Sequence, residues 1–198
     1  MKFLSAFAKR LIYGHNRHLI HKTDEHPFYR VLFCFTLCNK IESMDHDKLI
    51  FITKTCLPLF NSLPAETVGK WGKLNAQQMV EHLTIVFDVS TGKIKFDLVT
   101  PVEQLPRFKE FLLSDKVFRE NTKAPVSVFA EEPLPLQYAS MDEALEKLSD
   151  SIASFENYFK DDDGRKTMHP VFGELNYEEW VLLHYKHVTH HMSQFGLM

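Results

Sequence analysis

Apolar residues in this chain recur at steps of three and four in several stretches, and three of these stretches open on the same polar signal. Ala144, Leu145, Leu148, Ile152, Phe155 and Phe159 form one stripe on a helix, while Lys147, Asp150 and Glu156 lie off it. That stretch opens with Ser140-Met-Asp-Glu143. Two others open with Asn75-Ala-Gln-Gln78 and Asn176-Tyr-Glu-Glu179. In each, a short polar cap is followed three residues on by Glu or Gln, so that the two side chains can satisfy each other's free backbone N–H groups. A further helix is predicted over residues 44–62, bent or ended by Pro58. The pattern therefore predicts an all-α fold with four helices of bundle length. Between the second and third runs a long connection, residues 91–139, which holds five of the nine prolines. It is expected to be extended apart from a short helix at 106–114. The segment "DDDGRK" at 161–166 reads as a turn that ends the third helix.

The fourth helix carries four histidines within eight residues, "HYKHVTHH". An α-helix turns about 100° per residue, which puts His191 about 20° and His187 about 60° to one side of His184. Trp180, Val188 and Phe195 share that face. His190 lies about 120° away and is expected to face solvent. His187 and His191 stand four apart, so their side chains lie over one another on adjacent turns, a spacing that suits two neighbouring ligands of one metal ion. A third ligand must come from another helix. His82 is the candidate, because it shares its face of the second helix with Met79, Ile85, Val86 and Val89, while Glu81, Thr84 and Asp88 lie opposite. Neutral imidazoles gathered in a core are costly unless something satisfies their nitrogens, and a metal does so for three at once.

Composition narrows the function classes. The chain has 198 residues, 44% hydrophobic and 25% charged, an ordinary globular mixture with net charge −3. No general basic field is present to attract nucleic acid. Residues 1–43 nevertheless hold seven Lys/Arg and three Asp/Glu, net +4, which leaves −7 for residues 44–198. They also carry His15, His18 and His21 at every third position, and they read as a basic, loosely packed appendage to a domain over 44–198. Cys34 and Cys38 read as small core residues rather than metal ligands. The longest apolar run, at 31–38, is far too short to span a membrane. A cytoplasmic protein with reduced thiols is expected. The zinc-protease pattern His-Glu-x-x-His is excluded because Val188 follows His187. No glycine-rich phosphate loop and no local signature of a serine or cysteine triad is present.

Two blocks, "WGKLNAQQMVEHL" at 71–83 and "HPVFGELNYEEWVLLHYKHVTHHMSQFG" at 169–196, resemble the DinB/YfiT-like metalloenzyme superfamily, in its bacterial branch of unknown function. The resemblance covers about 44–198. It implies an up-down-down-up four-helix bundle with a long connection between the second and third helices. It also implies a three-histidine site at His82, His187 and His191, the residues the helical wheels select. Characterised relatives, on this resemblance, include transferases and an isomerase that use small thiols such as bacillithiol, mycothiol or glutathione.

The expected function is that of a divalent-metal-dependent enzyme, a hydrolase or a thiol S-transferase, with Zn or Ni as the ion. Water or a low-molecular-weight thiol would be activated there. His184 is expected beside the ligands as a hydrogen-bonding neighbour or proton carrier, with a packed core role as the alternative. His169 and Phe172 are candidates for the mouth of the site. The expected partners are a small-molecule substrate and a second copy of the chain, with no nucleic acid and no membrane. The competing readings are a non-catalytic bundle that binds a metal or small ligand, and an interaction protein whose basic arm meets an acidic surface.

Overall fold

The computed structural model describes residues 46–122, 132–162 and 164–198. The expectations for residues 1–43, including His15, His18, His21, Cys34 and Cys38, lie outside the described residues. Those that are described form five helices and a two-stranded hairpin. The chain is mostly helical as expected, but the hairpin departs from the all-α reading.

Helix α1 covers residues 46–60. It contains a π-helical stretch, Phe51–Thr55, in which the Cys56 N–H donates to the Phe51 carbonyl, followed by α-helical Cys56–Phe60. Pro58 has no N–H to donate and its ring crowds the carbonyl four residues back, so the turn before it widens rather than breaking. The helix then runs two residues past the proline. Cys56 is a free thiol buried at the end of this stretch, and burial pushes its pKa up to about 12.

Helices α2 (Ala76–Ser90) and α5 (Tyr177–Gln194) both start with the reciprocal cap that the sequence predicts, from Asn75 with Gln78 and from Asn176 with Glu179. Helix α4 (Met141–Phe159) is capped on one side only. Ser140 Oγ accepts from the Glu143 N–H, whereas the Glu143 carboxylate accepts from the N–H of Ala139, one residue before the cap. The stripe Ala144, Leu148, Ile152, Phe155 and Phe159 is buried along α4. It packs against α2, and α5 packs against α1, α2 and α3.

The short helix expected at 106–114 is α3, Leu105–Leu113, entered through a 3-10 turn at Val102–Gln104. Lys109 ties it to the start of α5, its ammonium donating to the Glu174 carbonyl at 2.7 Å and to the Glu179 carboxylate at 2.5 Å. The connection is also fastened to α2. Glu81 accepts from the N–H groups of Gln137 and Tyr138, at 2.8 and 3.3 Å. Glu81 and Thr84, placed by the wheel on a polar outer face, are therefore buried. The connection supplies the hydrogen bonds that make the burial of Glu81 tolerable, while the Thr84 hydroxyl donates to the Val80 carbonyl of its own helix at 3.0 Å.

The hairpin pairs β1 (Thr167–His169) with β2 (Gly173–Leu175). It sits between the C-terminal end of α2 and the N-terminal end of α5. Thr167 Oγ1 donates to the Ser90 carbonyl and accepts from Trp180 Nε1, both at 2.8 Å. The opposite ends of the same two helices are also joined. The Lys70 N–H donates to the Gln194 carbonyl at 2.7 Å, and Gln194 Nε2 donates to the Trp71 carbonyl at 2.6 Å. Helices α2 and α5 thus run antiparallel with a clasp at each end. No helix among the described residues is long and apolar enough to cross a membrane.

Candidate metal centre

The three histidines chosen by spacing meet. His82 comes from the middle of α2, and His187 and His191 from successive turns of α5. Nε2 of His187 lies 3.0 Å from Nε2 of His82 and 3.0 Å from Nε2 of His191. One ring nitrogen from each residue falls within 4.8 Å of the other two.

Protons alone do not account for this arrangement. A ring nitrogen presents one hydrogen or one lone pair in its plane. His187 Nε2 can therefore make a hydrogen bond to one of its two neighbours and not to both. His191 has its protonation fixed from behind. Gln194 Nε2 is used on the Trp71 carbonyl, so Gln194 Oε1 faces His191 and accepts from Nδ1–H at 2.8 Å. That leaves His191 Nε2 bare and directed at the cluster. Burial is the main cause of a low pKa for all three residues. It pushes His82 down to about 4, with His190 adding to the effect. It pushes His191 down to about 3, reinforced by His82 and opposed by Gln194. His187 falls well below its ordinary value through burial and then through His191, His82, His184 and His190. At neutral pH the cluster is three uncharged imidazoles with converging ring nitrogens. Two imidazoles bound side by side to an ion at about 2.0–2.1 Å have nitrogens roughly 2.9–3.4 Å apart, and the two 3.0 Å separations meet that requirement. The donor set fits a borderline divalent ion.

Backbone shape lets the Gln194 brace come close. A Cβ added at Gly72 would stand 2.6 Å from Gln194 Nε2, and one added at Gly69 would stand 2.7 Å from Gln194 Cγ. Gly72 also has φ +76°, a conformation that side chains disfavour. Gln194 was missed by the sequence reading. Its signal was its place three residues after His191 on the same helix, where a side-chain amide can reach the imidazole.

The other histidines have separate surroundings. His184 is fully buried in an aromatic cage, stacked on Phe87 with ring centroids 3.7 Å apart, beside Trp180 and edge-on to Phe155. Its Nε2 has no hydrogen-bond partner, and no hydrogen bond joins it to the three convergent residues. His190, expected to face solvent, is half-buried and edge-on to Phe118 and Trp71, because the segment after α3 folds over that side of α5. His169 accepts at Nδ1 from the N–H groups of Val171 and Phe172, at 3.0 and 3.2 Å, and so holds the turn of the hairpin. Both His169 and Phe172 line the cavity that opens on the cluster, as do His82, His187, His190 and His191.

The comparisons with known proteins replace the expected family. The resemblance to the DinB/YfiT-like superfamily rested on two short blocks and on a histidine placed opposite a His-x3-His pair. Such spacing is a geometric requirement of any three-imidazole site on two helices and does not mark descent. The family model that matches carries no connection to that superfamily. No curated protein and no solved structure matches the chain. The match covers residues 60–198, which include every residue of the cluster and its braces, and the chain belongs to the family described as protein of unknown function (DUF1569).

Proposed function

We propose that this protein is a divalent-metal-dependent enzyme whose ion is held by His82, His187 and His191 and whose small-molecule substrate enters the adjoining cavity. The reading is carried by one observation, the pair of 3.0 Å contacts that His187 Nε2 makes with two other imidazole nitrogens. A bound ion of the Zn or Ni class would supply Lewis-acid chemistry and the capacity to activate water at neutral pH. The chain's own residues do the rest. Gln194 holds His191 in the tautomer that presents Nε2. His190, on the wall beside His191, is held below its ordinary pKa by burial and is neutral at pH 7, so it can take up a proton from a reacting group.

Hydrolysis is the favoured reaction class, because nothing among the lining residues selects a thiol. A thiol S-transferase is the second form of the same reading. We further infer that α1, α2, α4 and α5 form a four-helix bundle core, with α3 and the hairpin added to it. A cytoplasmic setting goes with a free, buried Cys56.

A non-catalytic metal-binding role is favoured by a different observation. Glu81, a carboxylate on the cavity wall next to His82, is engaged by the N–H groups of Gln137 and Tyr138 and by Gln77 Nε2, a structural role in fastening the connection. Metal analysis of tag-free protein tests the site, and a screen of model esters and amides with and without metal tests turnover. Near-stoichiometric metal that is lost in His82→Ala, His187→Ala and His191→Ala is the expected result. Full metal retention by the three variants would overturn the assignment.

A further inference from the structure

The cavity over the three histidines has a chemical character of its own. Its volume is about 1520 Å³, above the roughly 300–1,000 Å³ of an ordinary small-molecule pocket. Away from the histidines its wall is aromatic and continuous. Phe111 stands 5.3 Å from Phe118 and is stacked with Phe172 at 6.5 Å, and Phe108 meets Phe172 edge-on at 6.0 Å, as ring centroids.

The charges on the lining are not balanced. Glu81 is taken up by backbone N–H groups, and Glu132 is paired with Lys73. Arg107, Lys116 and Arg119 also line the cavity, and none has a carboxylate partner among the described residues. Among the described lining residues two carboxylates, Glu81 and Glu110, are then left against three cations, and the Glu81 oxygens are already held by N–H groups. Beneath the wall the Lys186 ammonium sits 5.3 Å from the Phe111 ring and donates to the carbonyls of Ser114 and Lys116, with Asp115 as its acidic neighbour. An apolar pocket with a cationic rim discriminates by chemistry. A neutral apolar molecule leaves the guanidinium groups unused. A small hydrophilic anion does not cover the phenyl rings. A molecule with both parts uses both surfaces.

We propose that the cavity takes an organic anion with a bulky apolar body. The body lies on the Phe108, Phe111 and Phe172 wall, and the carboxylate or similar anionic group pairs with Arg107 and Arg119. As a statement about substrate class, this rests on the reading of the three histidines as a metal centre. As a statement about binding, it can be tested without metal.

The test uses two fluorescent probes of nearly the same body, 1-anilinonaphthalene-8-sulfonate and its neutral parent N-phenyl-1-naphthylamine, titrated into the full chain after metal removal. The sulfonate is expected to saturate at one equivalent and to bind about tenfold tighter than the neutral probe. Arg107→Gln and Arg119→Gln together alter only exposed side chains. They are expected to remove most of that preference while changing the neutral probe by no more than about twofold. Phe108→Ala is expected to weaken both probes. Equal affinity for the two probes in the wild type, or an unchanged preference in the double arginine variant, would overturn the proposal, as would the absence of saturable binding. His187→Ala separates the two readings. If it loses metal and keeps the sulfonate preference, both stand. If the wild type holds metal but shows no preference, the ligand class is wrong and the metal centre survives.

Discussion

Two sets of inward-facing imidazoles sit a turn apart on α5 and show what separates a candidate ligand from a packed histidine. His187 directs Nε2 at His191 and at His82 across gaps of 3.0 Å each, and the three nitrogens lie within 4.8 Å of one another. His184, one turn earlier on the same inward side, presents its ring face to Phe87 and Trp180 and leaves Nε2 without a partner. Both sets are neutral because burial disfavours the cation. The difference lies in the neighbours. Convergent nitrogens create an electrostatic need that a cation meets, whereas an aromatic cage uses the imidazole as a flat apolar plate. Burial and residue type alone do not separate the two.

That comparison breaks most directly at the ligands. His187→Ala is expected to lower metal affinity by about 10³-fold or more, since it removes the nitrogen shared by both short contacts; equilibrium dialysis against a competing chelator measures it. The next effect is on pH. His82 is held at about 4 in the fold, against 6.5 ordinarily. Its stabilising contribution is fully present above pH 6.5 and is lost as pH falls through that window towards 4. In this interval the unfolded chain takes up a proton that the folded chain refuses. Metal-free protein should lose about 1.4 kcal/mol per pH unit for each such histidine in urea melts between pH 6.5 and 4, and a flat profile would contradict the burial of the cluster.

The caged histidine should respond in the opposite manner. His184→Ala is expected to cost about 2–4 kcal/mol in thermal or urea unfolding by emptying the space between Phe87 and Trp180, with metal stoichiometry unchanged. His184→Phe keeps a flat ring and removes the unpartnered nitrogen, and should stay within about 1.5 kcal/mol of wild type. If His184→Phe lost metal, the two sets would not be separate. At the brace the effect on metal is expected to be milder than at the three histidines. Gln194→Ala should weaken metal binding by about 10- to 100-fold and leave the three ligands in place.

Much of this was legible in the sequence, for identifiable reasons. The caps at Asn75 and Asn176 depend on residues three apart in the chain, and both formed. The convergence of His82, His187 and His191 depends on helical phase, which a wheel reports well. What was hidden depends on contacts between distant segments. Glu81 lay on the polar side of its wheel, and only the return of the chain at Gln137 and Tyr138 makes that side interior. His190 falls on the solvent side of the wheel for the same reason, and the contact with Phe118 that covers it comes from a distant segment. The hairpin was missed because each strand is three residues long, too short to show alternation. The wheel put His184 on the inward side correctly but carried no information on what it would meet there. Family membership was the least legible, because a geometric requirement was read as descent.

The clasps at the two ends of α2 and α5 have a consequence for the centre between them. His82 stands eight residues before Ser90, and His187 seven residues after Trp180, so the Ser90–Thr167–Trp180 link acts as a gauge block that sets how far one helix has slid along the other. A slide of a single residue's rise, about 1.5 Å, is half the gap between the imidazole nitrogens. The calibration of the centre therefore resides partly in a threonine hydroxyl on a three-residue strand. Thr167→Val, which touches none of the three histidines, should weaken the proposed metal binding, read by the same equilibrium dialysis.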